Sequence, residues 1–158
     1  MSDYAVKAVE LMIDKGLKIS AAESCTGGLF TKMITDISGS SAVLDASVVT
    51  YANSAKVKFL GVSEESISKY GVVSEAVACE MAKGATELMG ADVGVGITGI
   101  AGPGGGSIEK PVGLVWTAVC YKGEIYPAKL MLSGDRNEVR TATCNKVFEN
   151  IIEVIGKE

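Results

Sequence analysis

The 158-residue chain contains no histidine. This absence excludes a Ser-His-Asp triad, a Cys-His dyad and every metal site that depends on imidazole ligands. Acid–base chemistry at neutral pH would therefore have to use a lysine, carboxylate, tyrosine or cysteine whose pKa the fold has shifted. The missing residue type narrows the possible mechanisms before any motif is considered.

Closely spaced cysteine pairs are also absent. The four cysteines lie at positions 25, 79, 120 and 144, and none forms a CxxC pair. This spacing favours neither a zinc site nor the disulfide framework of a small secreted domain. We expect reduced thiols, no bound metal and no cofactor.

No apolar run approaches the roughly 20 residues of a membrane-spanning helix. The first residues, MSDYAVK, lack the basic region and apolar core of a secretory signal, which predicts a cytoplasmic protein that does not contact a membrane. The net charge of −4 and the pI near 5.0 argue against nucleic-acid binding, which requires a basic surface.

Apolar residues are abundant, at 47% of the chain, and the mean hydropathy is +0.30. This content excludes intrinsic disorder, and the length without any linker predicts one domain over residues 1–158. One small core needs less apolar surface than this composition provides. We therefore expect some of it to be shared between subunits, in a homodimer or a higher homo-oligomer.

Helical and strand patterns alternate along the chain, which predicts an α/β sandwich. Strand patterns occupy residues 18–22, 46–51, 93–97, 113–121 and 124–132, and the last two are joined by a tight turn that makes the sheet mixed. Helical patterns lie before, between and after these segments. Their expected N-caps are Asn53, Ser74 and Asp135, the last with Glu138 in a capping box.

Residues 22–28, AESCTGG, lie where a strand runs into a helix, a position at which α/β sheets commonly bind ligands. The amides of Gly27 and Gly28 could hold an anion or an oxyanion beside Ser24. Ser24 could equally be only the N-cap of the helix. Cys25 is the better intrinsic nucleophile, but without histidine it would need another base, and we interpret it as a packing residue.

Residues 51–56, YANSAK, offer a candidate base. With Asn53 as the cap, Lys56 is the third helical residue, where the helix dipole and partial burial would lower its pKa. A neutral lysine could deprotonate a serine, and Tyr51 could bridge the two groups or steady the lysine. The alternative is that Lys56 is a solvated lysine like Lys58.

The segment from Thr98 to Gly106 has five glycines in nine residues. Such a loop supplies amides for a phosphate or carboxylate, or forms a mobile lid, but it matches neither a P-loop nor a dinucleotide fingerprint. Arg136 and Arg140 are one helical turn apart and could clamp a phosphate together. A solvated helix face is the alternative for these arginines.

Taken together, AESCTGG, VVTYANSAK, GVVSE, TGIAGPGGG, KPVG and SGDR resemble the nicotinamide-nucleotide amidohydrolase family, which is also the C-terminal domain of the CinA competence/damage-inducible proteins. The resemblance extends from Ile19 to Ile155. It implies a three-layer α/β/α sandwich with a mixed, mainly parallel sheet. It also implies hydrolysis of nicotinamide mononucleotide, the small-molecule partner, to nicotinic acid mononucleotide and ammonia in pyridine-nucleotide salvage.

The resemblance assigns roles by motif match: Ser24 as nucleophile, Lys56 as base and Tyr51 as an assisting residue, with no metal or cofactor. The chain departs from the family pattern at Ser47, where glycine is usual, and at Ser54, where glutamate is common. A non-catalytic nucleotide-binding or assembly domain is the alternative function. The residues expected to bind substrate are Glu23, Thr26, Gly27, Gly28, Asn53, Thr98, Gly99, Gly102, Gly104, Gly105, Arg136 and Arg140.

Overall fold

The predicted alternation of helices and strands is confirmed by a computed structural model, which describes residues 1–157. The helices are α1 (Asp3–Lys15), α2 (Leu29–Thr35), α3 (Asn53–Leu60), α4 (Glu64–Tyr70), α5 (Glu75–Met89) and α6 (Arg136–Gly156). The strands are β1 (Ile19–Glu23), β2 (Val48–Val49), β3 (Val93–Gly99), β4 (Leu114–Tyr121) and β5 (Glu124–Met131). The short helix α4 had not been predicted.

The strands form one sheet in the order β2-β1-β3-β4-β5. The neighbours β2, β1 and β3 pair in parallel, whereas β4 pairs antiparallel with both β3 and β5. All strands except β4 therefore point the same way, and the sheet is mixed and mainly parallel, as the resemblance implied. Within residues 1–157, no helix is both long and apolar enough to cross a membrane.

The helices cover both faces of the sheet. One core cluster joins α1, α2 and α6 to the sheet, and Met12, Phe30 and Phe148 are among its fully buried members. On the opposite face, α5 packs its small residues Ala78 and Ala82 against β4. This arrangement is the three-layer α/β/α sandwich.

Most helix ends follow the predicted signals, with one exception next to the candidate base. The Ser74 side chain accepts a hydrogen bond from the Val77 amide at the start of α5, and the capping box of α6 is present. At α3, however, the N-cap is Ala52, which makes no side-chain bond. The prediction that Asn53 caps this helix is wrong, because Asn53 is already helical and Lys56 is thus the fourth helical residue.

The predicted strand over residues 46–51 is shorter than expected, since only Val48 and Val49 pair with β1. Before β2, a side chain replaces the backbone as the acceptor for β1: Ser47 Oγ accepts a hydrogen bond from the Ala21 amide at 3.0 Å. The departure from the family's usual glycine therefore has a local structural role.

Two glycines in β3 allow α5 to lie directly on the sheet. A Cβ at Gly94 would overlap the carbonyl oxygen of Ala82, and one at Gly96 would overlap the carbonyl oxygen of Ala78. The helix axis can therefore approach the strand more closely than side chains would permit. The chain just before α5 reaches the carboxyl end of β3, where the Thr98 hydroxyl donates to the Val72 carbonyl at 2.9 Å.

We expect Gly96→Ala to lower the free energy of unfolding by about 1–3 kcal/mol or more, because the new methyl meets backbone that cannot move away cheaply. Gly156→Ala is the matched control, since no atom lies within 4 Å of a Cβ built there. Urea denaturation of both variants measures the effect. An equal free energy of unfolding for the two variants would show that the space between α5 and β3 can accommodate a methyl group.

Candidate active site

A cleft of about 490 Å³ opens where β1 and β3 end. It contains many of the residues predicted from sequence, which come from both halves of the chain. These are Ser24, Tyr51, Asn53, Lys56, Thr98, Gly99, Gly102, Gly104, Gly105 and Arg136. The structure does not bring the other predicted residues to the cleft, namely Glu23, Thr26, Gly27, Gly28 and Arg140.

Lys56 and Ser24 are in direct contact in this cleft. The Nζ atom of Lys56 lies 3.0 Å from Ser24 Oγ. It also lies 2.6 Å from the carbonyl oxygen of Thr50 and 3.3 Å from that of Tyr51. The lysine side chain is only 1% exposed, which excludes the alternative of a solvated lysine.

These contacts satisfy the amine of Lys56 in either protonation state. A neutral lysine has two N–H groups and one lone pair, and a carbonyl oxygen can only accept. An ammonium donates its third N–H to Ser24 Oγ. In the neutral amine, with the carbonyls of Thr50 and Tyr51 accepting both N–H groups, the lone pair faces the proton of Ser24. The geometry therefore pairs a hydroxyl with an acceptor for its proton.

Burial also lowers the pKa of Lys56 below its ordinary value of 10.5, because the ammonium loses its hydration inside the protein. Between the lowered pKa and the ordinary one, the unfolded chain binds more protons than the folded chain. Burial of this lysine therefore costs least stability above pH 10.5 and most below its folded pKa.

Cys25 lines the cleft beside Ser24, and its surroundings do not activate the thiol. Burial raises the pKa of its thiol to about 11. The thiolate is the reactive form, so this side chain is almost entirely in its unreactive form at neutral pH. The packing role expected from the sequence is consistent with this environment.

Glu23 is fully buried and organises the loop that carries Ser24. Its Oε1 accepts from the amides of Gly28 at 3.2 Å and Phe30 at 3.0 Å. Its Oε2 accepts from the Thr31 amide at 3.0 Å and from the Thr31 hydroxyl at 2.7 Å. The expectation that Glu23 binds substrate is wrong, because both oxygens are engaged by the first turn of α2.

The same contacts correct the expected role of the glycine pair. The Gly28 amide donates to Glu23, and the Gly27 amide donates to the Ser24 carbonyl at 3.0 Å, so neither is free for an oxyanion. In the described part of the chain, the amides of Cys25 and Thr26 donate to no other residue. Of these two residues Cys25 lines the cleft and Thr26 does not, so the Cys25 amide is the available backbone donor beside Ser24.

The predicted arginine clamp does not form. Arg140 donates from Nη2 to the Thr26 carbonyl at 2.7 Å, behind the loop and away from the cleft, and Thr26 itself is fully buried. Only Arg136 reaches the cleft, where it donates from Nη1 to the Gly102 carbonyl at 2.7 Å. The two side chains share a helix face but have partners on different loops.

Tyr51 contacts the lysine through its backbone rather than through its side chain. The residue is 61% exposed, and its hydroxyl accepts from Arg136 Nη2 at 3.1 Å. The expectation that the hydroxyl steadies Lys56 is corrected, since the carbonyl makes that contact. The Tyr51 hydroxyl instead links Arg136 to the rim of the cleft.

The cleft is also lined by residues that were not predicted from the sequence. Gly71, Val72 and Val73 form one wall, and Ser107 and Lys110 lie on the glycine-rich loop between β3 and β4. The motifs GVVSE and KPVG were signals for these segments. The valines carry no reactive group, so their side chains offered no chemical reason to place them at a site.

The charged side chains that line the cleft are Lys56, Lys110 and Arg136, all of them basic. This cluster contrasts with the net charge of −4 of the whole chain. The cleft is therefore suited to an anionic ligand. Among residues 1–157, no group of three or more cysteine, aspartate or glutamate side chains could hold a metal ion.

Comparison with known families bears on this geometry. Residues 1–155 match the family described as CinA C-terminal domain. The chain belongs to that family. This CinA C-terminal domain is 56% identical over 127 residues to a nicotinamide-nucleotide amidohydrolase PncC of Enterobacter agglomerans, a match that covers 80% of this chain and 77% of that protein.

A CinA-like protein of Dictyoglomus turgidum is 48% identical over 135 residues, which cover 85% of this chain and 33% of that protein. The CinA C-terminal domain thus spans about a third of the length of such relatives.

Solved structures agree with the fold. The competence/damage inducible protein CihA of Agrobacterium tumefaciens superposes with a TM-score of 0.93 at 43% identity, covering 96% of this chain and 93% of that one. A CinA superfamily protein of Klebsiella pneumoniae gives a TM-score of 0.95 at 31% identity, covering 99% and 98%.

We expect Glu23→Gln to destabilise the domain by about 1–3 kcal/mol, because an amide NH₂ would face backbone N–H groups that the carboxylate now satisfies. Glu109→Gln on the exposed loop is the control. Denaturant unfolding of the two variants measures the effect. An unchanged midpoint for Glu23→Gln would contradict the role of Glu23 in ordering the loop that carries Ser24.

Proposed function

We propose that this domain is a nicotinamide-nucleotide amidohydrolase, which hydrolyses nicotinamide mononucleotide to nicotinic acid mononucleotide and ammonia in pyridine-nucleotide salvage. The observation that carries the proposal is the 3.0 Å contact between Lys56 Nζ and Ser24 Oγ in a chain without histidine. The similarity to a relative with that printed name supports the substrate. The basic lining of the cleft suits its phosphate.

The first half of the reaction is acyl transfer to serine. Neutral Lys56 accepts the proton of Ser24 as Oγ attacks the carboxamide carbon. The carbonyl oxygen becomes an oxyanion, for which the amide of Cys25, a residue that lines the cleft, is the donor. Lys56, now an ammonium, donates its proton to the departing nitrogen, and ammonia leaves as the ester with Ser24 forms.

The second half regenerates the enzyme. Water attacks the ester carbon while Lys56 accepts a proton from it, and the same proton then returns to Ser24 Oγ as the acyl bond breaks. Nicotinic acid mononucleotide leaves with its new carboxyl group. The carbonyls of Thr50 and Tyr51 hold Nζ at the same place in both halves.

Burial of Lys56 also weighs against a purely non-catalytic binding domain. A buried amine costs stability unless it is fully hydrogen-bonded, and an apolar side chain of similar volume would fill the same space without that cost. If the reaction needs a base, the loss of stability caused by burying Lys56 is offset by its function. A binding module would have no use for a lysine directed at a serine.

Ser24→Ala should reduce ammonia release from nicotinamide mononucleotide to background, because the attacking oxygen is removed. The fold should survive, since the Glu23 contacts that order the loop do not involve the Ser24 side chain. Cys25→Ala is the matched control and should keep most of the activity. A result in which Cys25→Ala is inactive and Ser24→Ala is active would identify the thiol as the nucleophile.

The pH dependence should report Lys56. Because only the neutral amine can accept the proton, kcat/KM should rise with pH through one ionisation that lies below the ordinary lysine pKa of 10.5. The same rising limb should persist in Cys25→Ala. Lys56→Arg should be inactive, since a guanidinium stays protonated in this range. An active Lys56→Arg enzyme with an unchanged profile would exclude Lys56 as the base.

A further inference from the structure

Of the basic residues in the cleft, Lys110 has the fewest partners. Lys56 is engaged by Ser24 and two carbonyls, and Arg136 is engaged by Gly102 and Tyr51. The Lys110 ammonium donates to the Tyr70 carbonyl at 2.6 Å, and it has no other acceptor in residues 1–157. Since an ammonium has three N–H donors, two remain for a ligand.

Lys110 is held at the cleft by its surroundings. The Ser107 amide donates to the Lys110 carbonyl at 2.8 Å, and the Lys110 amide donates to Ser107 Oγ at 3.0 Å, which closes the turn between them. Across the cleft, a Cβ at Gly71 would lie 2.5 Å from Lys110 Nζ. Glycine at this position leaves the space that the ammonium occupies.

Ser107 adds a donor at the same place. Its Oγ accepts from the Lys110 amide, and the hydroxyl proton has no acceptor in the described part of the chain. Both side chains line the cleft, as do Gly104 and Gly105, whose amides donate to no other residue in the described range. Among residues 1–157 no carboxylate lines the cleft, so Lys110 and Ser107 present hydrogen-bond donors to a ligand that only accepts.

We propose that Lys110 and Ser107 form the subsite for the phosphate monoester of the substrate. This subsite rests on the proposed function, and it takes the place of the arginine clamp that the structure does not form. A phosphate at neutral pH is an acceptor of hydrogen bonds with up to two negative charges, which matches unengaged N–H and O–H donors on a cation. The carboxamide end of the same molecule is then placed at Ser24, which lines the same cleft.

The test uses Lys110→Met with Lys69→Met as matched control, because Lys69 is exposed on neighbouring α4 and does not line the cleft. Two ligands that differ only in the phosphate are compared: nicotinamide mononucleotide and nicotinamide riboside. Lys110→Met should lower kcat/KM for the mononucleotide by about tenfold to a hundredfold, the effect of losing a hydrogen bond to a charged group. Lys69→Met should change nothing.

Binding is measured in a Ser24→Ala background by calorimetry, so that nothing is consumed. There, Lys110→Met should raise the Kd of the mononucleotide by the same factor and leave that of the riboside unchanged. Equal losses for both ligands, no loss for either, or no binding of the mononucleotide to the Ser24→Ala protein would overturn the subsite. If the unmodified enzyme releases no ammonia from the mononucleotide, the proposed deamidation is wrong, and the calorimetric comparison alone decides on the subsite.

Discussion

Direct contact between the backbones of α5 and β3 sets the position of the cleft. Glycine at 94 and 96 leaves no side chain between the helix and the strand, so α5 lies close to the centre of the sheet. The segment that precedes α5 then meets the end of β3 through Thr98 and Val72 and forms one wall. The close packing of α5 on β3 therefore determines where the cleft lies in the three-layer sandwich.

The opposite wall is organised by two buried ionisable side chains, Glu23 and Lys56, which make different contacts. Glu23 is satisfied by the first turn of α2, which fixes the loop after β1. Lys56 is held by carbonyls from the segment after β2 and faces Ser24 from α3. The carboxylate orders the loop, and the buried amine of Lys56, whose pKa burial lowers, is the group in contact with Ser24.

Local periodicity was sufficient for the alternation of helices and strands and for the mixed sheet. The three layers and the Ser24–Lys56 pair came from the family resemblance, because residues 22–28 and 51–56 by themselves left a capping serine and a solvated lysine open. The sequence was insufficient where a side chain chooses between partners distant in sequence. Glu23 next to a glycine pair could face a ligand or a helix, and four-residue spacing places Arg136 and Arg140 on one face without specifying their acceptors. Lys110 depends on Tyr70, 40 residues away. Self-association stays a prediction.

The carboxylate of Glu23 has a further consequence for how the molecule meets its solvent. The start of a helix attracts small anions from any buffer or cytosol. Here that attraction is met by the chain's own side chain, which is covalently attached and shielded from water. Dissolved sulfate, phosphate or bicarbonate thus finds no vacancy at α2. The order of the loop that carries Ser24 is therefore supplied from within the chain, by a carboxylate one residue before that serine.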